Sequence, residues 1–276
     1  MITIGSHNTL PVLRREAKGL VLGSREAHVL LPSREAPAEA AIGERLRVFV
    51  YTDSEDRPVA TTRTPHATVG EFACLEVVDV STHGAFLGWG LDKDLFVPFR
   101  EQHRRMEVGR RYVVAVALDE RSGRVIGSSR LGQFLDYDVS GLQEGQAVTL
   151  LVYDFNEHGA QVIVDDRYSG LVYANDTFRP LRTGDETSGY IQHVRPDNKV
   201  DVSLRRLGHD GTLDAQAAIV RRLQAAGGYL PVHDKCSPQE IARVFAMSKK
   251  TFKKALGGLY KAGTIELSDH GTKLVG

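Results

Sequence analysis

The sequence predicts a mainly β, multidomain protein: three small closed β-barrels in series, followed by a C-terminal α+β domain with a helix-turn-helix order. Two observations predict this architecture. Glycines recur at a spacing of 75 residues, with a third copy upstream, and the hydrophobic pattern changes near the C-terminus from short β-rich runs to a helical period. We expect barrels at residues 1–66, 67–134 and 135–208, and the last domain at residues 209–276.

The repeat is defined by two spacings that occur in all three copies. A glycine is followed 14 residues later by another glycine, and a later pair of positions is separated by 11 residues. The pairs are Gly5 to Gly19 and Pro32 to Gly43, Gly70 to Gly84 and Pro98 to Gly109, and Gly145 to Gly159 and Tyr173 to Gly184. We interpret these segments as three homologous units, of which the first is degenerate.

Each unit reads as a small barrel of the OB type. Runs rich in β-branched and aromatic residues, such as 112–117 and 148–153, alternate with turn-forming clusters, such as 119–123 and 195–199. About five strands in roughly 65–75 residues is the size of an OB barrel. Closure of the barrel would remove the exposed edges of such short strands.

The C-terminal segment has the element order of a winged helix. Ser237-Pro238-Gln239-Glu240 is a capping box that starts a helix, and Ser248 caps the next one. In that second helix Phe252, Leu256, Leu259 and Tyr260 are expected to form the apolar face. A hairpin follows around 268–271, which completes a winged helix-turn-helix domain.

Composition places the chain among ordinary globular proteins. It has 276 residues, 35 Lys and Arg, 35 Asp and Glu, and 42% hydrophobic residues, enough for a core. Cys74 and Cys236 lie far apart, no apolar stretch approaches the ~20 residues of a membrane span, and the N-terminus lacks signal-peptide features. The prediction is a cytoplasmic protein without a disulfide framework or a membrane partner.

No motif predicts an enzyme. The sequence has no phosphate-binding loop of Walker spacing, and His233 and Cys236 make only half of a zinc-ligand pattern. Asp165-Asp166 is more typical of a turn than of a catalytic pair. We expect no catalytic residues, no metal site and no cofactor.

The zero net charge conceals two oppositely charged regions. From Leu213 to Gly276 there are ten Lys and Arg against five Asp and Glu, whereas residues 136–176 have eight acids and one base. The basic region includes a cluster on one predicted helix, at Lys249, Lys250, Lys253 and Lys254. These lysines repel one another without an interleaved acid, so we expect nucleic-acid phosphates to neutralise them. The alternative is a solvated face.

The repeated units resemble S1-type RNA-binding domains, which have the OB fold. The segments that carry the resemblance are Gly84-Ala85-Phe86-Leu87, Leu95-Phe96-Val97-Pro98 and Val108-Gly109 in the second unit, and Gly170-Leu171-Val172-Tyr173, Thr183-Gly184 and Val202-Ser203-Leu204-Arg205 in the third. Three such units before a winged helix resemble the conserved virulence factor B family of bacterial RNA-binding regulators. The resemblance covers the whole chain, and the domain order is its most specific part.

The resemblance implies an RNA-binding face made of rings beside the turn glycine and polar residues near the last hairpin. Matched residue by residue, it implies these contacts: His83, Phe86, Asp119 and Arg124 in the second barrel, and His158, Tyr173 and Lys199 in the third. Three departures are His83, which stands where the family has its first aromatic ring, Pro98, where the family has a His, and Gln161, which replaces the inner ring. The first unit has no ring at the matching positions, which are Lys18, Val21, Pro32, Asp53 and Arg57.

Each candidate also has a structural interpretation. Phe86 and Tyr173 can instead be barrel core, the two histidines turn residues, and the two cations solvated. Trp89, the single tryptophan, lies between glycines and is either a stacking plate or a cover packed over a barrel end.

Together these observations predict a non-catalytic regulator that binds single-stranded RNA through barrels 2 and 3 and the lysine-bearing helix. Rings would stack on bases, and cations would neutralise phosphates. One alternative is a transcriptional regulator that binds duplex DNA through the winged helix. The other is a scaffold that contacts the ribosome or another protein.

Overall fold

Three closed five-stranded barrels and a winged-helix domain make up the part of the chain that the computed structural model describes, which is residues 1–174, 180–205, 209–245 and 247–275. The expected fold class is confirmed. The chain divides into two compact units, Met1–Leu135 and Asp136–Gly276. The expected junction at Gly208 lies outside the described residues.

The barrels share one strand order, in which the first strand pairs with the second and fourth, and the third pairs in parallel with the fifth. The strands of barrel 1 are β1 Ser6–Glu16, β2 Gly19–Gly23, β3 His28–Pro32, β4 Arg45–Thr52 and β5 Pro58–Thr61. Those of barrel 2 are β6 Phe72–Val80, β7 Gly84–Gly88, β8 Leu95–Pro98, β9 Arg111–Leu118 and β10 Val125–Ser128. Those of barrel 3 are β11 Ala147–Asn156, β12 Gly159–Val164, β13 Tyr168–Tyr173, β14 Glu186–Val194 and β15 Val200–Ser203.

The first strand of every barrel has a β-bulge at the same position. The register shifts after Val12 in β1, after Val77 in β6 and after Val152 in β11. A bulge bends a strand and increases its twist, so one long strand can pair with two neighbours around a closed barrel. The valine before each bulge is fully buried or nearly so.

Barrels 1 and 2 share a core. Phe49 and Tyr51 of β4 pack in the same buried cluster as the interior of barrel 2, and the Phe49 ring meets Trp89 edge-on, with centroids 5.8 Å apart. Trp89 is 2% exposed, and its indole N–H donates to the Lys93 carbonyl at 2.6 Å. Of the two interpretations of this tryptophan, the structure therefore supports the packed cover.

Polar contacts reinforce this junction. The Lys93 ammonium donates to the carbonyls of Thr52 and Asp53 at 2.8 and 2.7 Å, and burial lowers the pKa of Lys93. The Asp92 carboxylate accepts hydrogen bonds from both Arg34 and Arg63 of the first barrel. Apolar burial and these bonds together make barrel 1 a structural support for barrel 2.

The C-terminal domain is a winged helix. Its elements are α1 His209–Ala225, β16 Tyr229–Leu230, α2 Pro238–Phe245, α3 Lys249–Lys261, β17 Ile265–Ser268 and β18 Gly271–Leu274. The expected capping box forms, since Glu240 N–H donates to Ser237 Oγ at 3.2 Å and Ser237 N–H donates back to Glu240 Oε2 at 2.9 Å. The core is apolar, and the Phe245 and Phe252 rings stack with centroids 5.0 Å apart.

One expectation for α3 is wrong. Phe252, Leu256 and Leu259 are buried, but Tyr260 is 57% exposed. At 100° per residue, two steps of four residues carry Tyr260 about 80° around the helix axis from Phe252. It therefore lies beyond the edge of the buried stripe.

Candidate nucleic-acid interface

The second strand of each barrel begins at a glycine that fixes the alignment of the three units. Gly19, Gly84 and Gly159 pair with Pro32, Pro98 and Tyr173, respectively. A β-carbon at any of these glycines would lie 2.0–2.3 Å from a backbone carbonyl of the facing strand. Only glycine fits such a close approach, which explains why it recurs and makes the positions that follow structurally equivalent.

In each barrel, four outward positions on neighbouring strands lie side by side, and we call them the cross-strand row. The strand-two member is the residue two positions after the glycine. It pairs with the first residue after the bulge on strand one and with a residue of strand three, which in turn pairs with the member on strand five. The rows are Arg14, Val21, Leu30 and Val59 in barrel 1; Asp79, Phe86, Phe96 and Ile126 in barrel 2; and Asp154, Gln161, Leu171 and Asp201 in barrel 3. One scaffold thus presents three chemically different surfaces.

The row of barrel 2 presents an aromatic pair. The Phe86 and Phe96 rings lie 5.1 Å apart between centroids at 39°, and both are half-buried. Neither ring belongs to the buried cluster inside the barrel. Sequence reasoning identified Phe86 but missed Phe96, although Phe96 alternates with buried Leu95 and Val97 and so points outward.

The row of barrel 3 borders a groove of about 550 Å³. The three candidate residues of this barrel all line it: His158, Tyr173 and Lys199. His158 and Lys199 are exposed, and Tyr173 is half-buried. The structure thus brings together residues that stand up to 41 positions apart in the sequence.

An arginine that sequence reasoning missed organises this groove. Arg195 Nε and Nη2 donate to the two oxygens of Asp201 at 2.9 and 2.7 Å, and Nη2 also donates to the Tyr173 hydroxyl. The hydrogen bond with Asp201 raises the pKa of Arg195. The guanidinium is therefore a fixed cation beside a ring. Its signal in the sequence was its place at the start of the last hairpin, four residues before Lys199.

A second tyrosine in the groove stays neutral. Burial raises the pKa of Tyr153, and a hydrogen bond with Ser169 opposes the rise. Tyr153 lines the same groove, so its phenol can present a ring and a hydroxyl, but no charge, at physiological pH.

Barrel 1 has no open ring on its row. Val21, at the position of Phe86, is 3% exposed. Lys18 is exposed and Pro32 half-buried, while Arg57 donates to the Asp53 carboxylate at 2.8 and 3.0 Å. The cross-strand row of this unit has no aromatic platform, as the sequence predicts.

The polar candidates of barrel 2 already have polar partners within the protein. Asp119 accepts from Ser122 at 2.6 Å and from Arg100 at 2.8 Å, and its pKa is lowered by the Ser122 hydroxyl first and then by the Arg100 charge. Arg124 donates to Asp56 of barrel 1. His83 is exposed, with its Nδ1 atom 3.0 Å from the Thr82 hydroxyl.

The lysine cluster lies at the start of α3, where Ser248 Oγ accepts from Thr251 N–H at 3.1 Å. Lys250, Lys253 and Lys254 are exposed. Lys249 is half-buried and donates to the Lys235 carbonyl at 3.4 Å, and Lys253 Nζ lies 4.0 Å from an Asp234 oxygen. The cluster is thus a basic surface, with an acid from a preceding loop close to one lysine.

The described residues contain no group of three or more His, Cys, Asp and Glu that could hold a metal ion. Asp165 and Asp166 both adopt left-handed backbone conformations, with φ of 48° and 52°, in the turn between β12 and β13. Within the same described ranges, no helix is long and apolar enough to cross a membrane.

Comparison with protein families identifies two domain types. Residues 217–274 match the CvfB-like winged helix domain, and residues 4–63 match the S1 domain. These domain types support nucleic-acid binding, and neither indicates an enzyme. The S1 match falls on barrel 1, the unit whose row lacks rings.

Relatives match almost the whole chain. The Bacillus subtilis protein YitL is 28% identical over 270 residues, which cover 95% of this chain and 90% of the relative. Conserved virulence factor B of Staphylococcus epidermidis is 24% identical over 274 residues, which cover 96% and 92%. A solved multidomain protein with nucleic acid binding domains from Streptococcus pneumoniae is 23% identical, with a TM-score of 0.44 and coverage of 99% and 98%.

Proposed function

Since the chain belongs to the conserved virulence factor B family, we propose that it is a non-catalytic regulator that binds single-stranded RNA along barrels 2 and 3. The observation that carries this proposal is the groove of barrel 3, where Tyr173 lies beside the fixed Arg195 cation. Rings for base stacking and cations for phosphates are the two parts that a single-strand site needs.

The aromatic pair of barrel 2 supports the same function. Phe86 and Phe96 expose part of their faces outside the core, and stacking tolerates any base because every base has a π-face. The lysines of α3 add phosphate contacts, which position a nucleic acid without reading its sequence.

The test is the affinity of the full chain for a single-stranded RNA and for a duplex DNA of the same sequence, at one salt concentration. Phe86→Ala and Tyr173→Ala should each weaken RNA binding by about 1–3 kcal/mol if each ring supports one base. Tyr137→Ala is the control, because Tyr137 is 72% exposed and lies outside the groove lining.

Two results would overturn the proposal. One is tighter binding to duplex DNA than to RNA, with affinity lost only when the lysines of α3 are substituted. The other is unchanged RNA affinity in folded Phe86→Ala and Tyr173→Ala proteins, with melting temperatures measured alongside to separate folding from binding.

A further inference from the structure

The cross-strand rows of barrels 2 and 3 differ at one position in a way that changes what the surface can recognise. Phe86 and Gln161 follow equivalent glycines by two residues, and each faces an aspartate on the first strand, Asp79 or Asp154. On the other side Phe86 meets a second ring, whereas Gln161 meets Leu171. The ring that would stack on a base is thus replaced by a carboxamide.

We propose that Gln161 determines base specificity, in that its side-chain amide reads the edge of a base held in the barrel-3 groove, and that adenine is the preferred base. This inference rests on the proposed function of the same groove. Barrel 2 would then hold RNA by stacking alone, and barrel 3 would select the sequence.

The Gln161 amide is available for this contact. Its side chain lines the groove and is half-buried, and none of the described residues hydrogen bonds to the amide. Other polar groups of the groove are engaged: Arg195 occupies both oxygens of Asp201, and the Asn156 side-chain oxygen accepts from His158 N–H and Gly159 N–H. The Gln161 amide is therefore an uncommitted donor and acceptor that borders the groove.

The surroundings of Gln161 suit a base edge. Leu171 and Tyr173 lie on the next strand and line the same groove, so they offer apolar surface and a ring against a base face. A glutamine amide donates and accepts in one plane, which matches the N7 acceptor and N6 amino donor of adenine in a bidentate pair. A purine also gives more stacking area than a pyrimidine.

The test compares Gln161→Leu with Phe86→Leu, which introduces the same residue at the equivalent position of barrel 2. Affinities of the full chain are measured for oligo(A), oligo(U) and oligo(C) RNAs of equal length. The readout is the ratio of wild-type to variant affinity for each RNA, in which the different intrinsic stacking of the free RNAs cancels.

Gln161→Leu should weaken oligo(A) binding by about five-fold to about a hundred-fold, the range of one bidentate contact, and change the other two little. Phe86→Leu should weaken binding to all three RNAs by similar factors. Gln161→Met, which keeps the unbranched length, should behave like Gln161→Leu and guards against a packing artefact.

An equal loss for all three RNAs with Gln161→Leu, no loss for any, or a loss specific to oligo(U) or oligo(C) would overturn the assignment while leaving RNA binding intact. Failure of the wild-type protein to bind any single-stranded RNA would instead overturn the proposed function, and this inference with it.

Discussion

Two lysines of α3 give a quantitative test of the winged helix. Lys250 and Lys254 are one helical turn apart, both are exposed, and neither has an ion-pair partner among the described residues. Changing both to Gln removes two charges while keeping an unbranched polar side chain and a similar helix propensity. The apolar face beneath them, which includes Phe252 and Leu256, is untouched.

The expected magnitude follows from counterion release. Each phosphate neutralised on a single strand contributes about 0.7 to the slope of log affinity against log salt. If both lysines contact phosphates, the double variant should flatten the slope by about 1.4 and bind less tightly at low salt. Lys249 and Lys253 should contribute less, because Lys249 is bonded to a carbonyl and Lys253 lies near Asp234.

The assay is a salt series of binding constants for one RNA oligonucleotide. A charge-matched control is the double variant Lys18→Gln and Arg25→Gln, which removes two exposed cations from barrel 1 and should leave the slope unchanged. Parallel lines for the wild type and the α3 variant would refute the reasoning and make the cluster a solvated face. Equal flattening by the control would show a general charge effect instead.

Two further predictions concern the junction between barrels 1 and 2. Asp56→Asn should release Arg124 and tighten RNA binding by at most about 1 kcal/mol, since both partners of this ion pair are exposed. Asn tolerates the left-handed φ of 65° at this position. The control is Glu55→Gln, measured in the same titration. Trp89→Ala should destabilise the protein by about 3–5 kcal/mol in denaturant unfolding, whereas a loss below about 1 kcal/mol would contradict its role as a shared core residue.

The barrel architecture could be predicted because its causes are local in the sequence. The spacing between glycines is set by strand length and turn geometry, and Gly84 and Gly159 are required by backbone atoms less than 2.5 Å from where a β-carbon would lie. The capping box at Ser237 is likewise complete within four residues. Such features depend on backbone geometry rather than on the surface side chains.

The site could be predicted only in part, because its contacts join distant segments. The resemblance to S1-type domains implied Tyr173 as a contact, but its partner Arg195 is 22 residues away and becomes adjacent only when the barrel closes. The role of Trp89 was ambiguous in the sequence because Phe49, the ring that it packs against, comes from another barrel. Arg124 reads as a free cation in sequence, yet it meets an acid 68 residues earlier.

The shared core also decides how the role of barrel 1 can be tested. Deleting barrel 1 would remove Phe49 from Trp89 and Asp56 from Arg124, so it would expose apolar surface and alter a candidate contact of barrel 2 at once. Loss of RNA binding by such a truncation would not show that barrel 1 binds RNA. Substitutions on its own surface are the cleaner test: Lys18→Gln leaves the junction intact, and unchanged affinity would assign barrel 1 to support rather than recognition.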